Sequence, residues 1–211
     1  MRDLAIYGAG GLGREIALMI EQINNHHPQW NLIGFFDDDK AKSKYVDALP
    51  LLGGINEINQ YSTRCSLVIA VADCNTRRLI FEQIENARVD FPTLIHPQAI
   101  VGSRLNTFGE GSIVTAGCIL TTGISFGRFT ILNLACTIGH DVTLGDFCSI
   151  MPGCNLSGNV QIGDLTLIGT GTQILQNVVI GKRCKVGAGA VVIKNIDDGR
   201  TVVGVPANRF L

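Results

Sequence analysis

From Phe108 to Val192 every sixth residue is apolar: Phe108, Val114, Leu120, Phe126, Leu132, Ile138 and onward, fifteen positions without a miss. The next residue is glycine at Gly109, Gly127, Gly145, Gly163 and Gly181, a spacing of eighteen, and again at Gly139, Gly169 and Gly187. Two places before the apolar residue the side chain is small or β-branched almost throughout, as at Cys118, Thr130, Cys136, Val142, Cys148, Cys154, Thr166, Cys184 and Ala190. A helix cannot produce this period, because 3.6 does not divide six and the apolar positions would drift around its axis. Short strands can, since residues i−2 and i then share one inward face. Glycine after the inward residue serves a turn where a Cβ would crowd a neighbour or where φ must go positive. Three strands and three turns make an eighteen-residue triangular coil, and stacked coils pair backbone with backbone at about 4.8 Å. Positions 108–197 accommodate about five such coils.

The first ninety residues follow a different plan. A short apolar strand, Leu4–Tyr7, leads into Gly8-Ala9-Gly10-Gly11-Leu12-Gly13 and a helical pattern from Arg14 to Ile20. A second strand over Asn31–Phe36 ends in Asp37-Asp38-Asp39; a third, Ser66–Val71, precedes a helical stretch from Asn75 to Asn86. Strand–helix–strand order predicts a parallel sheet. The spacing G-x-G-x-x-G, with Asp37 24 residues beyond Gly13, matches the dinucleotide fingerprint of tight turn, helix N-terminus and ribose-binding carboxylate. Two readings compete: an NAD-dependent oxidoreductase, and a small nucleotide-sugar-binding domain. The segment is too short for the second βαβαβ unit of a dinucleotide crevice, which favours the latter.

Composition narrows the partners. The 211 residues include 25 glycines, only 6% aromatic and 17% charged residues, and a net charge of −1. That balance argues against nucleic acid or a membrane surface, which select basic faces. No apolar run approaches the roughly 18 residues of a membrane span, and the N-terminus reads as a strand rather than a signal peptide. Seven cysteines without a CxxC pair fit reduced thiols in a cytoplasm. Five of them (Cys118, Cys136, Cys148, Cys154 and Cys184) fall at the inward i−2 phase, where packing, not metal binding or an acyl-cysteine, is expected.

The hexads Ile138-Gly139, Leu144-Gly145, Ile162-Gly163, Ile168-Gly169, Ile180-Gly181 and Val186-Gly187 resemble the hexapeptide-repeat acyltransferases, which implies a left-handed parallel β-helix after an α/β Rossmann-like subdomain. The implied division is 1–93 for nucleotide-sugar binding, 94–197 for the β-helix and 198–211 for a capping tail. With Leu94-Ile95-His96-Pro97 at the junction and Val203-Gly204-Val205-Pro206-Ala207 at the close, the whole chain is similar to bacterial sugar O- and N-acetyltransferases. These include sialic-acid O-acetyltransferases and UDP- or GDP-amino-sugar N-acetyltransferases. The resemblance implies acetyl-CoA as acyl donor, a nucleotide amino sugar as acceptor, no metal, a homotrimer with sites between prisms, and a cytoplasmic role in surface-glycan synthesis. O-acetylation of a sialic acid is the alternative within the class; a non-enzymatic trimeric scaffold is the alternative outside it.

Acyl transfer from a thioester needs a base, and histidine suits neutral pH. His26 and His27 lie in a polar loop and read as solvated, while His96 reads as a structural hinge. His140, two residues past inward Ile138, sits in a stretch resembling the one that bears the family's general base followed by a carboxylate. The resemblance thus assigns His140 as base, Asp141 as its orienting partner and Asn133 as a polar group near the reacting centre. Adjacent residues of an extended strand point to opposite faces, so contact between His140 and Asp141 requires a turn. By the same resemblance the sugar nucleotide lies against Gly10, Gly11, Leu12, Asp37, Asp38 and Ala72, and the coenzyme passes Ser149, Thr170 and Ala188. The chain departs from the family pattern in having Leu12 and Ser149 where relatives often carry histidine. Residues 100–181 contain Arg104 and Arg128 against four acidic residues, whereas 182–211 contain Lys182, Arg183, Lys185, Lys194, Arg200 and Arg209 against Asp197 and Asp198. A basic prism end suits coenzyme phosphates or a solubilising cap equally well.

Overall fold

The structure, a computed structural model, describes residues 1–39, 41, 43–102 and 105–209. Arg104 falls outside the described residues, as does the side chain of Arg209. The chain forms two compact units, Met1–Pro92 and Thr93–Leu211.

In the first unit β1 (Arg2–Tyr7), α1 (Gly11–His26), β2 (Trp30–Phe36), β3 (Tyr45–Val46), β4 (Leu49–Pro50), α2 (Ile55–Asn59), β5 (Cys65–Ile69), α3 (Cys74–Gln83) and β6 (Val89–Asp90) follow in order. The sheet order is β2-β1-β5-β6, every pair parallel. Helix α1 buries Ile16, Met19, Ile20 and Ile23, one stripe at helical spacing. The glycine fingerprint divides its labour. Gly8 takes φ +104, in the region glycine alone enters easily, and a Cβ on Gly13 would stand 1.9 Å from the Gly8 carbonyl oxygen, so helix and strand approach closely there. The helical pattern predicted from Arg14 in fact begins at Gly11. The small hairpin β3–β4 and the short α2 were not predicted; the hairpin turns on Asp47 and Ala48, both at positive φ.

The second unit is a left-handed parallel β-helix of about six turns. Two-residue strands stack into three faces: one runs from Leu94–Ile95 through Ile113, Ile131, Ser149, Leu167 and Lys185 to Thr201, closed by antiparallel Asn208–Arg209. The inward residues of the hexads and the i−2 cysteines form the core, with Val114, Cys118, Leu132, Cys136, Cys148, Ile150, Cys154 and Ile168 fully buried. None of the seven cysteines forms a disulfide. One coil more than the five expected precedes Phe108. It escapes the sixfold pattern because Ile119 registers with Ile100 but Ser125 with Thr107, so one extra residue lies between the two strands.

The two possible uses of glycine resolve differently at two positions of the hexad. The glycine after the inward residue answers crowding: a Cβ on Gly127 would lie 2.4 Å from the carbonyl carbon of Gly145 in the next coil. Positive φ falls two residues later, at the corner itself, and is often taken by other residues: Phe129, Ala135, Asp141, Phe147, Asn159, Leu165, Asn177 and Arg183.

Candidate functional site

Within the first unit, the carboxyl ends of β1, β2 and β5 frame a cleft of about 370 Å³ lined by Tyr7, Gly8, Asp37, Asp38, Val71 and Thr76 among others, the usual position for ligands of open α/β sheets. Gly10 and Gly11 are exposed at the start of α1, and a Cβ on either would meet nothing within 4 Å. Neither glycine is therefore demanded by chain packing, unlike Gly8 and Gly13. Leu12 is half-buried in the first turn of the helix.

The two predicted carboxylates are engaged by the chain itself. Asp37 accepts from the Ala9 N–H at 2.7 Å and the Asp39 N–H at 2.9 Å; Asp38 accepts from the Ile55 N–H at 2.9 Å and from the Tyr7 hydroxyl. Burial, reinforced by Asp38, pushes the Tyr7 phenol well above its ordinary value, so Tyr7 stays a donor. These bonds fix the floor of the cleft. Its other wall depends on a residue that sequence reasoning passed over: Arg77, 1% exposed, donates from Nη1 to the carbonyls of Val71 at 2.5 Å and Ala72 at 3.2 Å. Its signal was only its place on the second helical stretch, where it would read as a surface charge. Asp73 caps the same helix, accepting from the Thr76 N–H at 2.8 Å.

In the second unit, Asp141 occupies a prism corner at φ +60. That corner supplies the turn that direct contact needs: His140 Nδ1 and Asp141 Oδ2 are 2.8 Å apart. An ionised carboxylate only accepts, so the bond holds the imidazole proton on Nδ1 and leaves the lone pair on Nε2. Both side chains are 65% exposed. A Cβ on Gly123, one coil earlier, would stand 2.6 Å from Asp141 Oδ1, so the carboxylate leans over a glycine. Gly158, one coil later, stands in the same relation to the imidazole. It went unnoticed in the sequence although its signal is simple arithmetic, eighteen residues past His140.

The other predicted residues are placed less uniformly. Asn133 is 5% exposed and its side-chain oxygen accepts from the Leu134 N–H at 2.7 Å. Ser149, 1% exposed, presents no open hydroxyl. Thr170 and Ala188 are exposed and stack one above the other, the Thr170 carbonyl accepting from the Gly189 N–H at 2.8 Å. At Gly153, Gly171 and Gly189, which continue that corner, an added Cβ would meet nothing within 4 Å. Of the basic cap, Lys182 pairs with Asp164 at 2.8 Å and holds that carboxyl below the usual range, while Arg183, Lys185, Lys194 and Arg200 are exposed. His96 is buried and accepts at Nδ1 from the Gln98 N–H at 2.9 Å; burial lowers its proton affinity. Among the described residues no cluster of His, Cys, Asp or Glu could hold a metal ion, and no helix is long and apolar enough to cross a membrane.

Residues 3–84 match the PglD N-terminal domain family and residues 159–194 the bacterial transferase hexapeptide family. The acetyltransferase domain of PglB from Neisseria gonorrhoeae, solved in complex with acetyl coenzyme A, is 33% identical with a TM-score of 0.89 over 99% of each chain. A variant of perosamine N-acetyltransferase from Caulobacter crescentus, solved with CoA and GDP-perosamine, is 25% identical with a TM-score of 0.90, covering 100% of this chain and 97% of that one. A curated relative, UDP-N-acetylbacillosamine N-acetyltransferase of Bacillus subtilis, is 30% identical over 120 residues; the match takes in 55% of this chain and only 52% of that protein. With an N-terminal PglD-type unit, hexapeptide coils behind it and full-length likeness to such enzymes, this chain belongs to the bacterial sugar acetyltransferases of the hexapeptide-repeat class.

Proposed function

We propose that the chain transfers the acetyl group of acetyl-CoA to the amine of a nucleotide-activated amino sugar, a UDP- or GDP-4-amino sugar, with His140 as general base. The observation that carries this reading is the 2.8 Å bond between His140 Nδ1 and Asp141 Oδ2 on a side chain that is 65% exposed, which keeps one proton on Nδ1 and leaves the Nε2 lone pair to accept another. The amine nitrogen attacks the thioester carbonyl, a C–N bond forms and the C–S bond breaks. His140 Nε2 takes the amine proton and returns it to the departing thiolate. Asp141 fixes the ring's tautomer, and no acyl-enzyme is required.

Further observations support the remaining parts. The glycine corner at Gly153, Gly171 and Gly189, with Thr170 and Ala188 exposed beside it, leaves backbone accessible to an extended pantetheine arm. Ser149, being buried, supplies at most a wall. In the first unit, Gly10 and Gly11 at the start of α1 suit a sugar-nucleotide diphosphate, and Asp37 and Asp38 line the cleft; Leu12, next to Gly11, and Ala72, next to Val71 of the lining, complete the proposed set. Exposed apolar side chains on the prism, among them Ile119, Leu134, Leu175 and Val179, support assembly as a homotrimer. Seven cysteines without a disulfide suit the reducing cytoplasm.

The test pairs acetyl-CoA with UDP- and GDP-4-amino sugars and, separately, with sialic acid, reading products by mass spectrometry. Acetylation of an amino sugar is expected, and His140→Ala should lower kcat by about 10²–10⁴-fold. Turnover on sialic acid alone would move the assignment to O-acetylation, and a near-wild-type rate in His140→Ala would refute the base.

A further inference from the structure

The base is held from one side by Asp141, and the geometry points to what holds it from the other. We propose that Gly158 is a positioning residue for His140, its missing Cβ providing the bed on which the imidazole lies. The inference rests on His140 being the base. The three atoms nearest a Cβ built on Gly158 all belong to that one ring: Nε2 at 2.4 Å, Cε1 at 2.6 Å and Cδ2 at 2.9 Å. Gly158 carries no positive φ, so backbone conformation does not demand glycine there. It is not a corner residue either; the corner is Asn159, whose N–H bonds the His140 carbonyl at 2.8 Å. What requires glycine at this position is the histidine eighteen residues earlier.

Ordinary contact between a methyl group and a ring atom is about 3.5 Å. A methyl at Gly158 therefore drives Nε2 away by roughly 1 Å, and the ring can move that far only by turning on the Nδ1 bond to Asp141 or giving it up. A misplacement of about 1 Å at a reacting group can cost on the order of 10²-fold in rate. The obstacle is the far end of an exposed side chain, so the fold yields little, and alanine at an ordinary φ also restricts the unfolded chain.

The experiment compares Gly158→Ala, His140→Ala and the double variant, measuring kcat, KM and melting temperature in the full chain. Gly158→Ala is expected to lower kcat about 10²-fold with KM and melting temperature near wild type, and to add nothing in the His140→Ala background. A low rate in His140→Ala with wild-type kcat in Gly158→Ala overturns the positioning role and leaves the base intact. Wild-type kcat in His140→Ala removes the base and this inference with it. If Gly158→Ala fails to fold, the double variant decides: folding restored by deleting the ring supports the steric account, and continued failure overturns it.

Discussion

Asp141→Asn isolates what the carboxylate does for His140. Asparagine keeps the size of the side chain and, like aspartate, tolerates the left-handed corner at φ +60, where alanine would add backbone strain to the result. Two things are lost. The first is the charge facing an imidazolium as it forms. Both side chains are 65% exposed, so that attraction lies in the range of exposed ion pairs, about 0.2–1 kcal/mol. The second is the obligatory acceptor at 2.8 Å from Nδ1. The amide can present its NH₂ there instead, which selects the tautomer whose Nε2 is already protonated and cannot act as base. In an exposed setting the preference is that of one hydrogen bond, about 0.5–1.5 kcal/mol. Together the two losses come to about 0.7–2.5 kcal/mol, or a drop in kcat of roughly 3- to 70-fold. The assay is steady-state acetylation, following release of the coenzyme thiol, beside wild type and His140→Ala. A loss as large as that of His140→Ala would mean that Asp141 takes a direct part in the chemistry. An unchanged rate would mean that the 2.8 Å contact does not orient the base; either result refutes the reasoning.

Two further outcomes test the surrounding fold. Thr166→Val keeps volume but removes a fully buried hydroxyl that donates to the Gly181 carbonyl at 2.8 Å and accepts from the Cys184 N–H at 3.0 Å. The expected loss is about 1–3 kcal/mol, seen as a melting temperature lower by roughly 2–12 °C, with Thr166→Ser retaining most of the stability. His96, whose proton affinity is lowered by burial, contributes stability that is complete above the ordinary imidazole value and is lost as pH falls through the lowered folded value. Melting temperatures between about pH 8 and 5 should therefore fall less in His96→Asn, which keeps an acceptor for the Gln98 N–H, than in wild type.

The β-helix was legible because its information is local and repeated. An inward side chain every six residues is a property of the chain, and Leu132, Ile138, Leu144 and Ile150 announce it before any contact is known. The first coil was not legible, because one residue inserted between Ile100 and Thr107 breaks the phase that carried the signal. In the first unit Gly8, Gly10 and Gly13 read alike as letters of a fingerprint. Only their surroundings separate the two used for packing from the one facing open space. Asp37 and Asp38 likewise read as ligand-binding carboxylates, yet their bonds to Ala9, Asp39, Ile55 and Tyr7 come from chain segments up to 31 residues away.

The sequence by itself thus determined the coil period from Phe108 onward, the inward phase of the cysteines and the place of His140 two residues past inward Ile138. The tertiary structure decided the geometry around that histidine. Positive φ falls on the third residue after Ile138 rather than on the glycine next to it, which turns Asp141 back onto His140. The stacking of coils brings Gly158 beneath the ring. The physical reason is that a repeat fixes which residues share a level or a column. Whether two side chains in a column touch depends on backbone handedness at the corner and on the atoms absent from the neighbouring coil.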